Sequence, residues 1–434
     1  MTRNGSNCRY RITICLAAVF ATAGADCEQG PSNTNGNNNS NSNGNNNSNN
    51  NSSTSGGVVV TDFGVQKEGM VAVGDGIIAF ASTGRGLEVS WMEPGADSAT
   101  AIDGDLREGA VYCAGKKVIG VQADTINAVV VHDTTNGTST VVPETDVWDI
   151  APGANLENND VAVDGHLVAI LHRGDLGKEL KLIDVSGDDP VVTAFTFGLT
   201  NAVSVDVNAD EGQIMVMEDN DFITVFPADG AADVTPFRYD VATDAGIPIA
   251  YSPKPQIGGG IVIFQELNAD NAWVLNLTTG VSTQLSENPA SNNGSTNLEA
   301  RAGFFAYFLN RDPSDNDSAQ GSRLAIGAAG DLDNIVFDDG ADIGDGAMRG
   351  FGFSVAITPG GTATFLAGRF GGSSGGGNNQ PSFLQWTDSE SMELLRDTNG
   401  NSVIAADVVC TDALAAFKVP GDGNVSTALG YFVP

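Results

Sequence analysis

Lysine and arginine are scarce in this sequence: 20 of 434 residues, against 54 aspartates and glutamates, giving a formal net charge of −34 at pH 7. A surface of that sign repels phosphate backbones and anionic headgroups, which excludes nucleic acid as a partner and charge-driven adhesion to a membrane. It favours solubility, cation accumulation and encounter with basic partners, and an acidic shell of this kind is expected to keep the chain monomeric. Histidine is limited to His132, His166 and His172, with no Asp, Glu or Cys cluster at metal-ligand spacing around them. A zinc centre or a histidine acid/base pair therefore has little to build on, and the three rings are expected to be solvated or bonded within loops. Long apolar runs are also wanting. The one near the start, "ITICLAAVFATA", is too short to span a bilayer comfortably.

That run has another use. Arg3, Arg9 and Arg11 accompany it and Ala23-Gly24-Ala25 follows as a small-x-small site, so residues 1–25 read as an export signal. Cleavage there would leave 17 basic and 54 acidic residues, a net charge of −37. The alternative processing route is lipidation at Cys27, because "GADC" resembles the lipobox of bacterial lipoproteins, with Asp26 standing where that box has a small neutral residue. Attachment to a membrane would then be through the lipid alone. Residues 26–57 read as a disordered linker: Ser32–Gly57 carry no apolar side chain with which to offset chain entropy. As a flexible coil this stretch reaches roughly 25–30 Å. The expected location is the periplasm, the outer membrane or cell surface, or the medium.

Glycine is plentiful, at 54 residues, while helix formers are few, and short Val/Ile/Ala/Phe runs alternate with Gly, Asp, Asn and Thr clusters. This is the composition of an all-β chain. From residue 58 to 434 the text repeats. "DVAVDG HLVAIL HRGDLGK ELKLIDVSGDD PVVTAF" holds four short apolar segments, the first two joined by an Asp-Gly turn, and seven other stretches follow the same grammar. Marking the first turn of each at Gly76, Gly115, Gly165, Gly212, Gly260, Gly303, Gly361 and Asp412 gives a mean spacing of 48 residues. "NAVVVHDTTNGTST" (127–140) and "NAWVLNLTTGVST" (271–283), three periods apart, are then the third strand and following turn of units two and five.

A period of this size with four strands per unit predicts a single β-propeller of eight four-stranded blades, with seven as the alternative if the last two units share strands. The order of strand, Asp-Gly or Gly-Gly turn, strand, strand, then "TTG" and a last strand resembles the bacterial surface propeller repeats of the YVTN and TolB type, and more distantly WD40, although the WD dipeptide is absent. The resemblance implies a ring of blades and says little about a ligand. The eighth unit writes only three strands before Pro434. "GVVVTDF", alone before unit one, is expected to supply the fourth, so that Val58, Val59 and Val60 close the last blade. Cys113 and Cys410 then end the innermost strands of units two and eight, on the order of 10 Å or more apart, and should remain separate thiols.

Matches to catalytic motifs lose their meaning in this context. "GGSSG" (371–375) lies in a Gly/Asn-rich loop rather than a strand-to-helix turn, and "GDGIIA" at Gly74 sits in a hairpin with no helix to receive a phosphate. "HRGD" places Arg173-Gly174-Asp175 in a polar loop. Trp91, Trp148, Trp273 and Trp386 fall mostly in third strands and are expected to wedge between blades. No catalytic or cofactor-binding residues emerge. Calcium is the one cofactor with a foothold: Asp312, Asp315 and Asp317 share a loop, and Asp397, Asn399, Asn401 and Asp407 make a second oxygen-rich stretch that departs from the EF-hand pattern.

The expected function is a binding or scaffolding module that holds a protein, peptide or glycan on one face of the ring. The alternative is an extracellular hydrolase or lyase with carboxylates at the channel mouth. The sequence assembles no convergent acid/base set for it.

Overall fold

In a computed structural model the chain divides into units 1–50 and 51–434. The described residues all belong to the second: 57–432 without 66–69, 83–87, 105, 123–127, 148–159, 175–176, 196–197, 200, 231–234, 242–245, 251–253, 268–270, 286–297, 310–322, 339–352, 359–363, 370–382, 388–390, 395, 401–405 and 421–426.

After β1 (Val59–Val65) the strands come in fours. The first set is β2 (Val71–Val73), β3 (Ile78–Ser82), β4 (Glu88–Met92) and β5 (Thr100–Ala101); the second β6 (Leu106–Ala114), β7 (Lys117–Gln122), β8 (Val129–Asp133) and β9 (Thr138–Val141). The third is β10 (Val161–Asp164), β11 (Leu167–Gly174), β12 (Gly177–Asp184) and β13 (Val191–Ala194); the fourth β14 (Ala202–Asn208), β15 (Gln213–Glu218), β16 (Phe222–Pro227) and β17 (Phe237–Asp240). The fifth is β18 (Gln256–Gly258), β19 (Ile261–Gln265), β20 (Ala272–Asn276) and β21 (Val281–Gln284); the sixth β22 (Leu298–Arg301), β23 (Phe304–Leu309), β24 (Arg323–Ala328) and β25 (Asp331–Asp338). The seventh is β26 (Phe353–Ile357), β27 (Thr364–Arg369), β28 (Phe383–Thr387) and β29 (Ser391–Leu394); β30 (Ala406–Cys410), β31 (Ala415–Pro420) and β32 (Thr427–Phe432) end the series.

Sets two to seven are separate four-stranded sheets in sequence order. The remaining strands form one eight-stranded sheet, β30-β31-β32-β1-β3-β4-β5 with β2 on β3. Among the described residues the ladder joins its two halves at the single pair Val65–Ser82, so it is two neighbouring blades and not one continuous sheet. β1 runs antiparallel to β32 with Val59 opposite Tyr431, Val60 opposite Gly430 and Thr61 opposite Leu429. The N-terminal strand therefore completes the eighth blade, as the missing fourth strand required.

Innermost strands pack in sequence, β2 on β6, β6 on β10, β10 on β14, β14 on β18, β18 on β22, β22 on β26 and β26 on β30, and β30 returns to β2. The core lies between blades. One cluster joins Ile119 and Val121 of β7 to Val168 and Ile170 of β11; another joins Met215 and Met217 of β15 to Val262 and Phe264 of β19. A sheet of this size cannot bury both faces alone, which is why the repeat must stack. Burial falls outward: β19 is buried at every position, whereas β9 is exposed at every position.

Local chemistry explains the period. Gly115, Gly165, Gly260 and Gly303 have positive φ in two-residue hairpin turns, and Gly76 and Gly212 have it in four-residue turns, a conformation that glycine adopts without steric cost. The repeated phrase is a shared Asx turn. Asp133 Oδ1 accepts from Thr135 N at 2.8 Å and Asn276 Oδ1 from Thr278 N at 2.9 Å, while Gly137 N and Gly280 N each donate to the carbonyl of that Asp or Asn at 2.8 Å.

A second recurring device pairs an aromatic ring with a glycine across the sheet: Phe305 opposite Gly327 and Phe417 opposite Gly430. A Cβ at Gly327 would stand 2.3 Å from the Phe305 ring. Gly327→Ala must displace a fully buried ring, and thermal unfolding is expected to show a loss of about 1–3 kcal/mol; an unchanged Tm would mean that the ring is not seated there.

Candidate functional site

Because neighbouring strands in a blade are antiparallel, connections leave alternately from the two ends of the ring. The end holding the first turns has only short links, the longest being 228–236. Every long interval leaves from the other end: 142–160, 241–255, 285–297, 310–322, 339–352, 370–382 and 395–405. Asp312, Asp315 and Asp317 fall in one of these and, like Cys27, Trp148 and Gly371–Gly375, lie outside the described residues. Of the second oxygen-rich stretch, Asp397 is already used, its Oδ1 accepting from Asn399 N at 2.8 Å; Asn401 lies outside the described residues. Asp407 is in β30. Among the described residues no group of three His, Cys, Asp or Glu side chains could hold a metal ion.

At the short-turn end, on the ring axis, is a cavity of about 440 Å³. Six blades line it, through β2, β6, β10, β22, β26 and β30 with the turns that follow some of them. Its wall is mostly aliphatic, as the Val/Ala-rich innermost strands require. Set into it are charges from blades far apart in sequence. Arg301 of β22 reaches across the axis to Asp164 of β10, Nη2 to Oδ1 at 2.8 Å. The Asp164 Oδ2 accepts from Ala209 N at 2.7 Å, tying the third blade to the fourth as well. Beside them Lys254 Nζ lies 3.6 Å from Asp206 Oδ1, and Asp206 Oδ2 accepts from Ile257 N at 2.8 Å.

Glu299, also of β22, has no direct partner of this kind among the described residues. Removal from water pushes its carboxyl up to about 8, and Asp206 and Asp164 push the same way against Arg301 and Lys254. Burial likewise raises Asp206, and it raises the Tyr112 phenol and the Cys410 thiol far above their ordinary values; Cys113 is pushed up to about 12. Burial works against the charged Arg301, yet Asp164 and Glu299 more than offset it and hold the guanidinium protonated. Near neutrality Glu299 is therefore uncharged.

Glu299 is protonated in the folded chain over the window from its ordinary 4.5 to about 8, where the unfolded chain has lost that proton. Its contribution is full below the window and lost as pH rises through it. Glu299→Gln is therefore expected to leave stability unchanged near pH 4.5 and to raise it by roughly 1–3 kcal/mol above pH 8; denaturation at the two pH values checks this, and equal effects at both would contradict it.

Expectations for the other polar residues fare unevenly. Cys113 and Cys410 end their strands as placed and are both free thiols. Trp91, Trp273 and Trp386 lie in β4, β20 and β28, all third strands. The histidines need correction. His132 is not solvated: it lies in β8, 6% exposed, its Nδ1 sharing a 2.9 Å hydrogen bond with Ser139 Oγ on the neighbouring strand and its Nε2 buried without a partner. Burial lowers its basicity, and the same cause acts on His172 in β11. His166 follows its turn and is exposed. Arg173 and Gly174 pair with Lys178 and Gly177, so that tripeptide begins on a strand.

Correction is also due to the view that no acid set converges. Asp164, Asp206 and Glu299 do, from three blades. Their sequence signal is a charge in an innermost strand, "DVAVDG", "VSVDVN" and "LEARAG", which by itself does not set these three apart from a charge such as Asp407 in β30.

No family model matches the chain, and no curated protein does. Solved structures do. Saccharomyces cerevisiae Sqt1 aligns over 86% of this chain and 98% of its own with a TM-score of 0.50 and 10% identity. The fold is that of an eight-bladed β-propeller. BamB from Moraxella catarrhalis (86% and 95%, TM-score 0.43, 12% identity) and the Cps50 (Swd1) β-propeller domain of Myceliophteria thermophila (87% and 99%, 0.40, 10%) are further matches. At such identities the likeness concerns the propeller fold alone.

Proposed function

We propose that this propeller is an exported binding or scaffolding module whose partner, a protein, peptide or glycan, docks on the end that carries the long connections. The observation that supports this is the inequality of the two ends. Variable, polar connections on a rigid ring are where recognition is built, and here every long one leaves from the same end. The net charge of −34 favours a partner with a basic surface, and binding should weaken as salt rises. Export through residues 1–25, a tether over 26–57, calcium at Asp312, Asp315 and Asp317, and lipidation at Cys27 as the alternative anchor belong to the same reading.

The test is capture from the exporting cell's outer fraction by the full chain, beside variants whose 286–297 or 370–382 segment is replaced by Gly/Ser of equal length. A partner retained by the parent, lost on replacement and weakened by salt supports the reading; retention indifferent to both replacements contradicts it.

One feature favours the second reading, an extracellular hydrolase or lyase. Glu299 keeps its proton near neutrality, as a general acid must. Its neighbours Asp164 and Asp206 are engaged by Arg301 and Lys254, so the binding role is better supported. Release of reducing ends from a polysaccharide, abolished in Glu299→Gln, would reverse that order.

A further inference from the structure

We infer that the axial cavity at the short-turn end is a binding site for a neutral sugar, separate from the long-connection end and independent of any partner bound there. At about 440 Å³ it falls within the size range of small-molecule pockets, roughly 300–1,000 Å³. Its chemistry selects the ligand. Sugar hydroxyls both donate and accept, and the ring carbons between them need apolar surface. The rim supplies acceptors in the exposed carboxylates of Asp75 and Asp412. The interior supplies donors. Arg301 gives Nη2 to Asp164, but its Nε is buried and has no partner among the described residues, so it is a donor open to an incoming acceptor. Glu299 and Tyr112, both kept neutral by burial, add two O–H groups. Val71, Val111, Val163 and Ile357 furnish the aliphatic walls.

Charge excludes the other ligand types. A chain of net charge −34 with carboxylates at the cavity rim repels an anion. A cation would meet Arg301 and the donor groups inside, and among the described residues no metal-capable group of three exists. A neutral ligand leaves the Asp164–Arg301 and Asp206–Lys254 balance undisturbed.

The experiment is saturation-transfer NMR of the full chain with glucose, galactose, mannose and N-acetylglucosamine and their disaccharides, beside glucuronic acid and glucosamine as charged controls. A blocking variant, Ala413→Trp, closes the mouth at an exposed turn residue without touching the core. Transfer to at least one neutral sugar, weakened about tenfold or more in Ala413→Trp while the Tm is unchanged, is the expected result. Transfer to no sugar, to the charged controls alone, or equally to the blocked variant would overturn the inference. Arg301→Lys keeps the charge and removes the Nε donor; it is expected to weaken the sugar without loss of fold, and undiminished transfer would place the sugar elsewhere.

Discussion

Deleting residues 58–65 is expected to remove most of the net stability and to make the chain aggregate. Val58 and Val65 are fully buried, and burying a valine contributes about 1.5–3 kcal/mol. Val59 and Phe63 pack on the same core as Leu414, Leu429 and Tyr431, and the β1–β32 ladder is lost with them. The sum is about 5 kcal/mol or more, against a total of about 5–15 for a typical domain. The deletion also uncovers the edge of β32, an unpaired strand that invites pairing with another copy. Thermal unfolding and light scattering check both effects. A truncated chain that melts like the parent and stays monodisperse would mean that the eighth blade does not depend on β1.

The second large effect is at the axis. Arg301→Ala leaves Asp164 facing a buried cavity with no cation opposite, and loses the strut between the third and sixth blades. Breaking a largely buried pair by removing one partner costs more than the pair contributes, and with Arg301 and Asp164 still 24% and 15% exposed the loss is about 1–3 kcal/mol by chemical denaturation. The double change Arg301→Ala/Asp164→Ala removes the stranded charge and should recover part of that loss, with a coupling of about 1–3 kcal/mol. Additive losses in the double variant would mean that the two groups do not meet.

These two sites differ in how far the sequence announces them. The ring is legible because its devices are local and recur: a glycine in the first turn of seven of the eight units, an Asp or Asn before the "TT" turn, and a lone "GVVVTDF" beside a final unit one strand short. Each is a backbone requirement satisfied within a few residues. The axial cluster was not legible, because Asp164 and Arg301 are 137 residues apart and are neighbours only once the ring has closed. Nothing near "DVAVDG" names the partner of its aspartate. The burial of His132 is hidden from the sequence for a related reason. "AVVVHD" looks like a strand that ends in polar residues, yet β8 is covered on one face by the first blade and on the other by the third, so the ring position decides burial and the residue type does not.

The claim on which all of this depends is that strands from the two ends of the chain lie side by side in one blade. Val59 and Tyr431 are directly opposed across β1 and β32, within the reach of cross-strand neighbours at about 4.5–5.5 Å between Cβ atoms. Mild oxidation of a Val59→Cys/Tyr431→Cys variant, followed by peptide mapping, tests it directly. The account predicts an intramolecular bridge between the two new thiols, formed in the native chain and not in denaturant, with Cys113 and Cys410 left free. New thiols that stay reduced, or that link only between copies, would contradict it.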